Sequence, residues 1–299
     1  MKFFTTLVLT LGLGISLVSA APGVGNTHIH RAVHGGRSCG THISSHRKAA
    51  VERKFAVQRK ARTKTAKLAT QVINVYFHVV VANATLAGGW VPKSQITKQM
   101  AVLNRDYKNA GIQFRLVNTT RTLSKKWFSG VSPDGQLQTD MKNKLRKGGP
   151  ESLNVYTVGF QNQASNGLLG YATFPADYKG LPKDDGVVLQ YATLPGGSNK
   201  PFNQGRTLTH EAGHWVGLYH TFEGESCTAS GDMVSDTPAQ SVATSGCPIK
   251  KPDSCPGQLG LDPIHNFMDY SDDACMTMFS KGQITRLQDQ LRTFRNIDV

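Results

Sequence analysis

Long apolar runs are missing from this 299-residue chain: beyond the N-terminus none approaches the roughly 18 residues a membrane helix needs, so no membrane partner is expected. Internal repeats are absent too, which argues against a solenoid or propeller. Acidic charge is scarce, with 20 Asp and Glu against 34 Lys and Arg and a formal net charge of +14. Such an excess suggests nucleic acid until it is located. Residues 1–67 carry 12 Lys and Arg against a single acid, Glu52, whereas residues 68–299 carry 22 against 19. The basicity therefore belongs to an N-terminal arm, chiefly Arg47 to Lys67. No aromatic or groove-reading motif accompanies it, so nucleic acid is not the expected partner. Like-charge blocks are usually mobile and solvated, and this one offers many sites for proteolytic removal.

What is present begins at the N-terminus. Lys2, an apolar stretch from Leu7 to Val18 and the ending Val18-Ser19-Ala20 make residues 1–20 a secretory signal peptide. The chain is expected to be exported and extracellular. Its 39% hydrophobic content suffices for an ordinary core. An oxidising compartment gives the five cysteines meaning. Cys227, Cys247, Cys255 and Cys275 lie together near the C-terminus and are expected to form two disulfides, in any of three connectivities. Cys39 is left over, inside the arm.

The most informative run is His210-Glu211-Ala212-Gly213-His214-Trp215-Val216-Gly217-Leu218-Tyr219-His220. In a helix over Thr207–Gly217, His210 and His214 are four apart and project from one face. Gly217 lets the chain turn sharply out of the helix, because glycine takes left-handed backbone angles without steric cost. The turn can return His220 as a third nitrogen ligand. Three histidines with an open fourth position describe a catalytic zinc site rather than a structural one. Glu211 stands beside the metal, placed as a general base. One Zn2+ per chain is the expected cofactor. The extended form of the motif is the metzincin signature. Its Met-turn is supplied by Asn266-Phe267-Met268-Asp269-Tyr270-Ser271, with Met268 as an apolar floor under the imidazoles and Tyr270 placed to steady an oxyanion. Cys39, as a thiolate ligand, can fill the fourth position and keep the site latent until the arm, residues 21–67, is removed as a prosegment. The competing class is a secreted binding protein with a vestigial zinc site; the intact Glu211 argues against it.

Along the rest of the chain, strands are expected at Val72–Ala82, Gln113–Val117, Leu153–Val158, Gly167–Pro175 and Gly186–Tyr191. Helices are expected at Ser94–Asn109, capped by Ser94, near Gly135–Arg146, and at Ser280–Phe294, capped by Ser280. His78 reads as a partly buried strand histidine, not a ligand. Phe222 to Asp273 is rich in Gly, Pro, Asp and Cys and reads as irregular. Asn83 and Asn118 open glycosylation sequons. In Gly231–Pro238, Asp232 and Asp236 stand four apart amid loop carbonyls, a candidate calcium site.

These motifs together resemble the pappalysin metzincins, including the ulilysin-like members and the small secreted fungal metalloproteases. The likeness runs from Val72 to the C-terminus. It implies an α+β, zincin-like catalytic domain over residues 68–299. A twisted, mixed five-stranded sheet and the active-site helix form an upper lobe; the lower lobe is irregular, disulfide-braced and carries the C-terminal helix. It further implies pairs Cys227–Cys255 and Cys247–Cys275, zinc on His210, His214 and His220, and Glu211 as base and acid. Calcium would be held by Asp232 and Asp236 with the carbonyls of Val234 and Thr237, and latency would come from Cys39. The strand near Gly167–Phe174 would pair with an extended substrate. Protein or peptide substrates and a monomeric enzyme follow. Relatives that prefer a basic residue after the scissile bond carry an acid before the last cysteine; here that residue is Ala274, so the preference is not expected.

Overall fold

The computed structural model describes residues 30–31, 36–60 and 70–299. The expected signal peptide at 1–20 and the expected boundary between arm and catalytic body at 67/68 lie outside the described residues. The arm contributes β1 (His30–Arg31), β2 (Ser38–Cys39) and α1 (Ser45–Lys60). The body follows with β3 (Gln71–Val81), α2 (Lys93–Asp106), β4 (Ile112–Leu123), α3 (Lys125–Gly130), α4 (Gln136–Leu145), β5 (Ser152–Val158), β6 (Gly170–Ala172), β7 (Val187–Gln190), α5 (Arg206–Trp215) and α6 (Lys281–Arg295).

The five strands of the body form the expected mixed sheet, in the order β4-β3-β5-β7-β6. Four of them run parallel, and β6 turns back antiparallel to β7 along one edge. The arm lengthens this sheet to seven: β2 lies parallel to β6, pairing Cys39 with Gly170, and β1 lies antiparallel to β2. Parallel strands need cover on both faces, and β5 is buried at every position. One face, with Val75, Phe77 and Leu189, packs on Leu103 of α2, Leu208 and Ala212 of α5, and Leu287 of α6. The other, with Tyr156 and Val158, packs on Phe128 of α3 and Met141 of α4.

Several local expectations shift. Ser94 does not cap α2; Pro92 holds that position with extended backbone and no side-chain cap. The helix stops at Asp106, and the rest of the expected length is a short 3-10 turn, Lys108–Ala110. β4 runs on to Leu123 as the opposite edge strand, through polar residues that hide it from an apolar count. Only Gly170–Ala172 of the expected strand Gly167–Pro175 is regular, because Pro175 opens a 3-10 turn. α3 lies in a polar stretch for which the sequence predicts no element. The largest correction concerns the arm: 45–60 is a helix packed on the body, not a solvated block.

After α5 the chain is irregular to Asp273, as expected, and carries disulfides Cys227–Cys255 and Cys247–Cys275, the pairing the resemblance implied. α6 then opens with a full capping box: Ser280 accepts from the Gln283 amide while the Gln283 side chain accepts from the Ser280 amide. Its last turn ties the two lobes. Arg295 donates to the Trp215 carbonyl at 2.9 Å and pairs with Asp185 at 2.8 Å, and Trp215 Nε1 donates to the same carboxylate at 3.1 Å.

Candidate metal centre

α5 is positioned from three sides before any ligand is considered. At its start, Asp273 of the lower lobe accepts from the Gln204 and Arg206 amides, at 2.7 and 3.2 Å, which satisfies donors the helix cannot satisfy itself. Asp106 of α2 holds Arg206 at 2.7 Å and Thr209 Oγ1 at 2.7 Å, and Tyr107 donates to the Thr209 carbonyl at 3.0 Å. At the far end Gly217 takes φ 101°, and the Gly217 amide bonds back to the His214 carbonyl. That left-handed residue turns the chain so that His220 faces the helix.

The consequence is a convergence of four ligand-type atoms. Those of Cys39, His210, His214 and His220 all lie within 4.8 Å of one another, on residues that are all buried. His214 Nε2 and His220 Nε2 stand 3.1 Å apart. A tetrahedral zinc with nitrogens about 2.0–2.1 Å away places its ligands at about that spacing. The Nδ1 atoms of His210 and His214 point at the carbonyls of Phe267 (2.7 Å) and Leu218 (2.8 Å), so they carry the protons and leave both Nε2 lone pairs facing inward. His210 Nε2 is buried with no hydrogen-bond partner. Burial, reinforced by the neighbouring imidazoles, pushes both residues well below the usual histidine range, so they stay neutral. Neutral imidazoles, an orphaned inward nitrogen and a thiol fit a zinc ion.

Glu211 lies beside this cluster. Its Oε2 receives the Cys39 thiol at 3.3 Å and the Thr41 hydroxyl at 3.2 Å. Burial raises its carboxyl to about 8, against the opposing pull of those two hydrogen bonds. Burial, with Glu211 adjacent, also lifts the Cys39 thiol well above its usual range. Tyr270 is buried, and its hydroxyl is 3.4 Å from His220 Nε2. Met268 lies fully buried beneath α5; a side chain at Gly213 would come within 2.3 Å of its sulfur, so only glycine admits this close approach.

Other expected residues sit elsewhere. His78 is buried and bonded on both nitrogens, to Thr120 at 2.9 Å and Asn154 at 3.0 Å, a strand histidine as expected. Asn83 folds onto Thr85 in its own turn, and Asn118 is exposed on the edge strand β4. In the 231–238 loop, Asp232 is buried and raised to about 7 by that burial; Oδ1 takes the Val234 amide at 3.0 Å, while Oδ2 and the Thr237 hydroxyl have no well-formed hydrogen bond. Asp236 serves α6 instead, accepting from Ser280 Oγ at 2.7 Å and the Gly282 amide at 2.8 Å. The Gly-x-Ser-x-Gly pattern at Gly36–Gly40 is no serine-hydrolase elbow, because Ser38 lies in β2 and no helix begins until Ser45.

Sequence reasoning missed Arg37. Two residues before Cys39, it is 1% exposed and reaches Asp273 at 2.5 Å, Thr207 Oγ1 at 3.2 Å and the Ser271 carbonyl at 3.3 Å, with its guanidinium over the Phe202 ring. A basic arm offers many arginines and nothing local distinguishes this one, apart from its place beside Cys39. The segment from Ser38 to Gly40 also fills the β6 edge: the Leu169 amide donates to the Ser38 carbonyl and the Gly40 amide to the Gly170 carbonyl, each at 2.9 Å.

The peptidase M43 family model, described as pregnancy-associated plasma protein-A, matches residues 147–292. An extracellular metalloprotease of Verticillium alfalfae is 45% identical over 286 residues, covering 93% of this chain and 97% of that protein. One from Sordaria macrospora is 43% identical over 264 residues, covering 86% and 89%. Among solved structures, Tannerella forsythia promirolysin, as a Glu-to-Ala mutant, superposes with a TM-score of 0.68 at 28% identity, covering 86% of this chain and 95% of that one. Mature mirolysin in complex with a cleaved peptide gives 0.60 at 30% identity, covering 77% and 97%. A His-rich centre of this geometry and relatives this similar over nearly the whole chain have one reading: the chain belongs to the pappalysin family of zinc metalloendopeptidases.

Proposed function

We propose that this chain is a secreted zinc endopeptidase made as a latent precursor, in which residues 21–67 are the inhibitory prosegment. The convergence of Cys39 with His210, His214 and His220, beside Glu211, carries this reading. The relatives' printed names describe extracellular enzymes, in line with the signal peptide expected at 1–20. The pro-form of mirolysin covers more of this chain than its mature form does, 86% against 77%.

His210, His214 and His220 would hold the zinc, with Cys39 as the fourth ligand of the precursor. Bound there, zinc supplies a Lewis acid that lowers the pKa of water and polarises a carbonyl. The chain's own residues do the rest. Glu211, freed of the Cys39 and Thr41 hydrogen bonds, takes the proton of the attacking water at Oε2 and returns it to the leaving amine. Tyr270 donates its hydroxyl to the oxygen that gains charge. β6, freed of β2, pairs with an extended peptide. Met268 fixes the histidines from below, and sugars attach at the Asn83 and Asn118 sequons. A vestigial, merely binding site would not need an acid poised on the cluster.

Arg37 extends the reading to specificity. The place Arg37 takes against Asp273 and Thr207 would suit the substrate residue that follows the scissile bond. Asp273 would supply the acid that position 274 lacks, and a basic residue would then be favoured there. Calcium in the 231–238 loop would rest on Asp232 Oδ2 and Thr237, since Asp236 accepts its hydrogen bonds from Ser280 and Gly282 at the start of α6.

Peptidase assays on the processed enzyme test the assignment. Glu211→Ala is expected to retain zinc and lose about a hundred- to ten-thousand-fold in turnover; undiminished turnover overturns it. Cys39→Ala is expected to give a precursor that is active before processing. Asp273→Asn should shift the cleavage profile away from arginine and, because Asp273 also accepts from the amides that open α5, lower turnover at other sites to a smaller extent.

A further inference from the structure

Glu52 is the one acidic residue among the first 67, and it does not face solvent. From the middle of α1 it accepts from both terminal guanidinium nitrogens of Arg286 on α6, at 2.6 and 3.1 Å, and from the Tyr219 hydroxyl at 2.9 Å. Phe55, 4% exposed, packs on Phe294 at a centroid distance of 6.0 Å and lies under the Arg286 guanidinium at 5.6 Å. Lys48 donates to the Gly231 carbonyl at 2.9 Å, and Arg59 reaches Asp289 at 3.5 Å. Positions 48, 52, 55 and 59 fall on one face of a helix, and that face lies on α6, Tyr219 and the 231 loop.

This attachment is separate from the one that blocks the cleft. The extended segment from Arg37 to Thr41 covers Glu211 and the β6 edge through Cys39, Thr41 and Gly40; α1 lies beyond β6, with Arg47 on Asp177 and Val51 beside Phe174. A 16-residue helix without an apolar stripe is marginal alone in water. Its helical form therefore depends on the surface it meets, and that surface offers a cation for its single carboxylate and a ring for its buried phenylalanine.

We propose that the face formed by Arg286, Phe294, Asp289 and Tyr219 is a docking site for the severed prosegment, so that cutting the chain beyond α1 leaves the prosegment bound and the enzyme latent. The proposal rests on the arm being an inhibitory prosegment. A cut beyond Lys60 breaks none of the contacts described above; it only makes them bimolecular, at the cost of effective concentration. Activity then needs a second event, dilution or cleavage within α1.

The test uses the full chain, zinc-loaded, with the recognition sequence of a site-specific protease inserted between Thr65 and Ala66. After cutting, the two pieces are expected to co-elute in gel filtration without peptidase activity. The same cut in Glu52→Gln and Phe55→Ala chains is expected to let the pieces separate and activity appear; both changes leave with the prosegment, so the mature enzyme is identical. Immediate separation and full activity of the cut parent chain would overturn the docking site and leave the prosegment reading standing. An uncut chain that is already active would overturn both. A variant that misfolds is bypassed by synthetic peptides added to the mature enzyme. Residues 36–60 should inhibit at least about tenfold more tightly than residues 36–44, and Glu52→Gln in the longer peptide should remove most of that gain. Equal inhibition by the two lengths would also overturn the proposal.

Discussion

Two arginines of α6, nine residues apart in sequence, hold very different things. Arg295 grips Asp185, and the two side chains are 0% and 1% exposed. Arg286 grips Glu52, and the exposures are 7% and 13%. The first pair joins the C-terminal helix to the sheet lobe and to the end of α5 through Trp215, wholly within residues 70–299. The second joins the same helix to α1 of the arm, the segment proposed above to be removed as a prosegment. Asp185 has three further partners, Trp215 Nε1, the Thr173 hydroxyl at 3.1 Å and Arg146 at 3.4 Å, whereas Glu52 relies on Arg286 and one tyrosine hydroxyl. Arg286 also donates to the Gly217 carbonyl at 3.1 Å, and so steadies the turn that presents His220.

The comparison can be broken from either end. Asp185→Ala strands two buried guanidinium groups and is expected to cost about 3–5 kcal/mol in urea or thermal unfolding, in the precursor and the mature enzyme alike. A loss below about 1 kcal/mol would show that the pair is not holding the lobes. Phe55→Ala should cost about 2 kcal/mol of prosegment docking and nothing in the mature enzyme's melting temperature, read by gel filtration of the cut chain and by calorimetry. Ser280→Ala removes half of the capping box and should cost about 1 kcal/mol in both forms, since α6 is common to them; a difference between the forms would tie the cap to α1.

Acid should act in one direction on both pairs. Burial raises each carboxyl, but Arg295 for Asp185 and Arg286 for Glu52 outweigh it, and both sit below the usual carboxylate range. A carboxylate depressed in the bound state stabilises that state fully above its free pKa. The contribution is lost as pH falls through the bound-state value. Prosegment retention should therefore be flat from neutrality down to about pH 5 and weaken below the ordinary glutamate pKa of about 4.3. Glu52→Gln, already weaker, should lose that slope. A slope of the same size in the Gln variant would assign acid release to other groups.

Legibility in the sequence followed the range of the interaction. His210, His214 and Glu211 were readable because a helix converts a spacing of four into one face. The α6 cap was readable because Ser280 and Gln283 answer each other within one turn. α1 was not: its register carries no apolar stripe, and what orders it is a surface on α6. The polar half of β4 and the short β6 failed for a related reason, since strand pairing, not composition, makes them strands.

From its own residues, then, the chain determines which atoms can bind a metal, which acid stands beside them and where the C-terminal helix begins, because each of these is settled within one or two turns of backbone. Only the folded molecule decides that Arg37 meets Asp273 and Glu52 meets Arg286. These partners lie 236 and 234 positions apart in sequence, and no local periodicity records a pairing that the packing of the lobes creates.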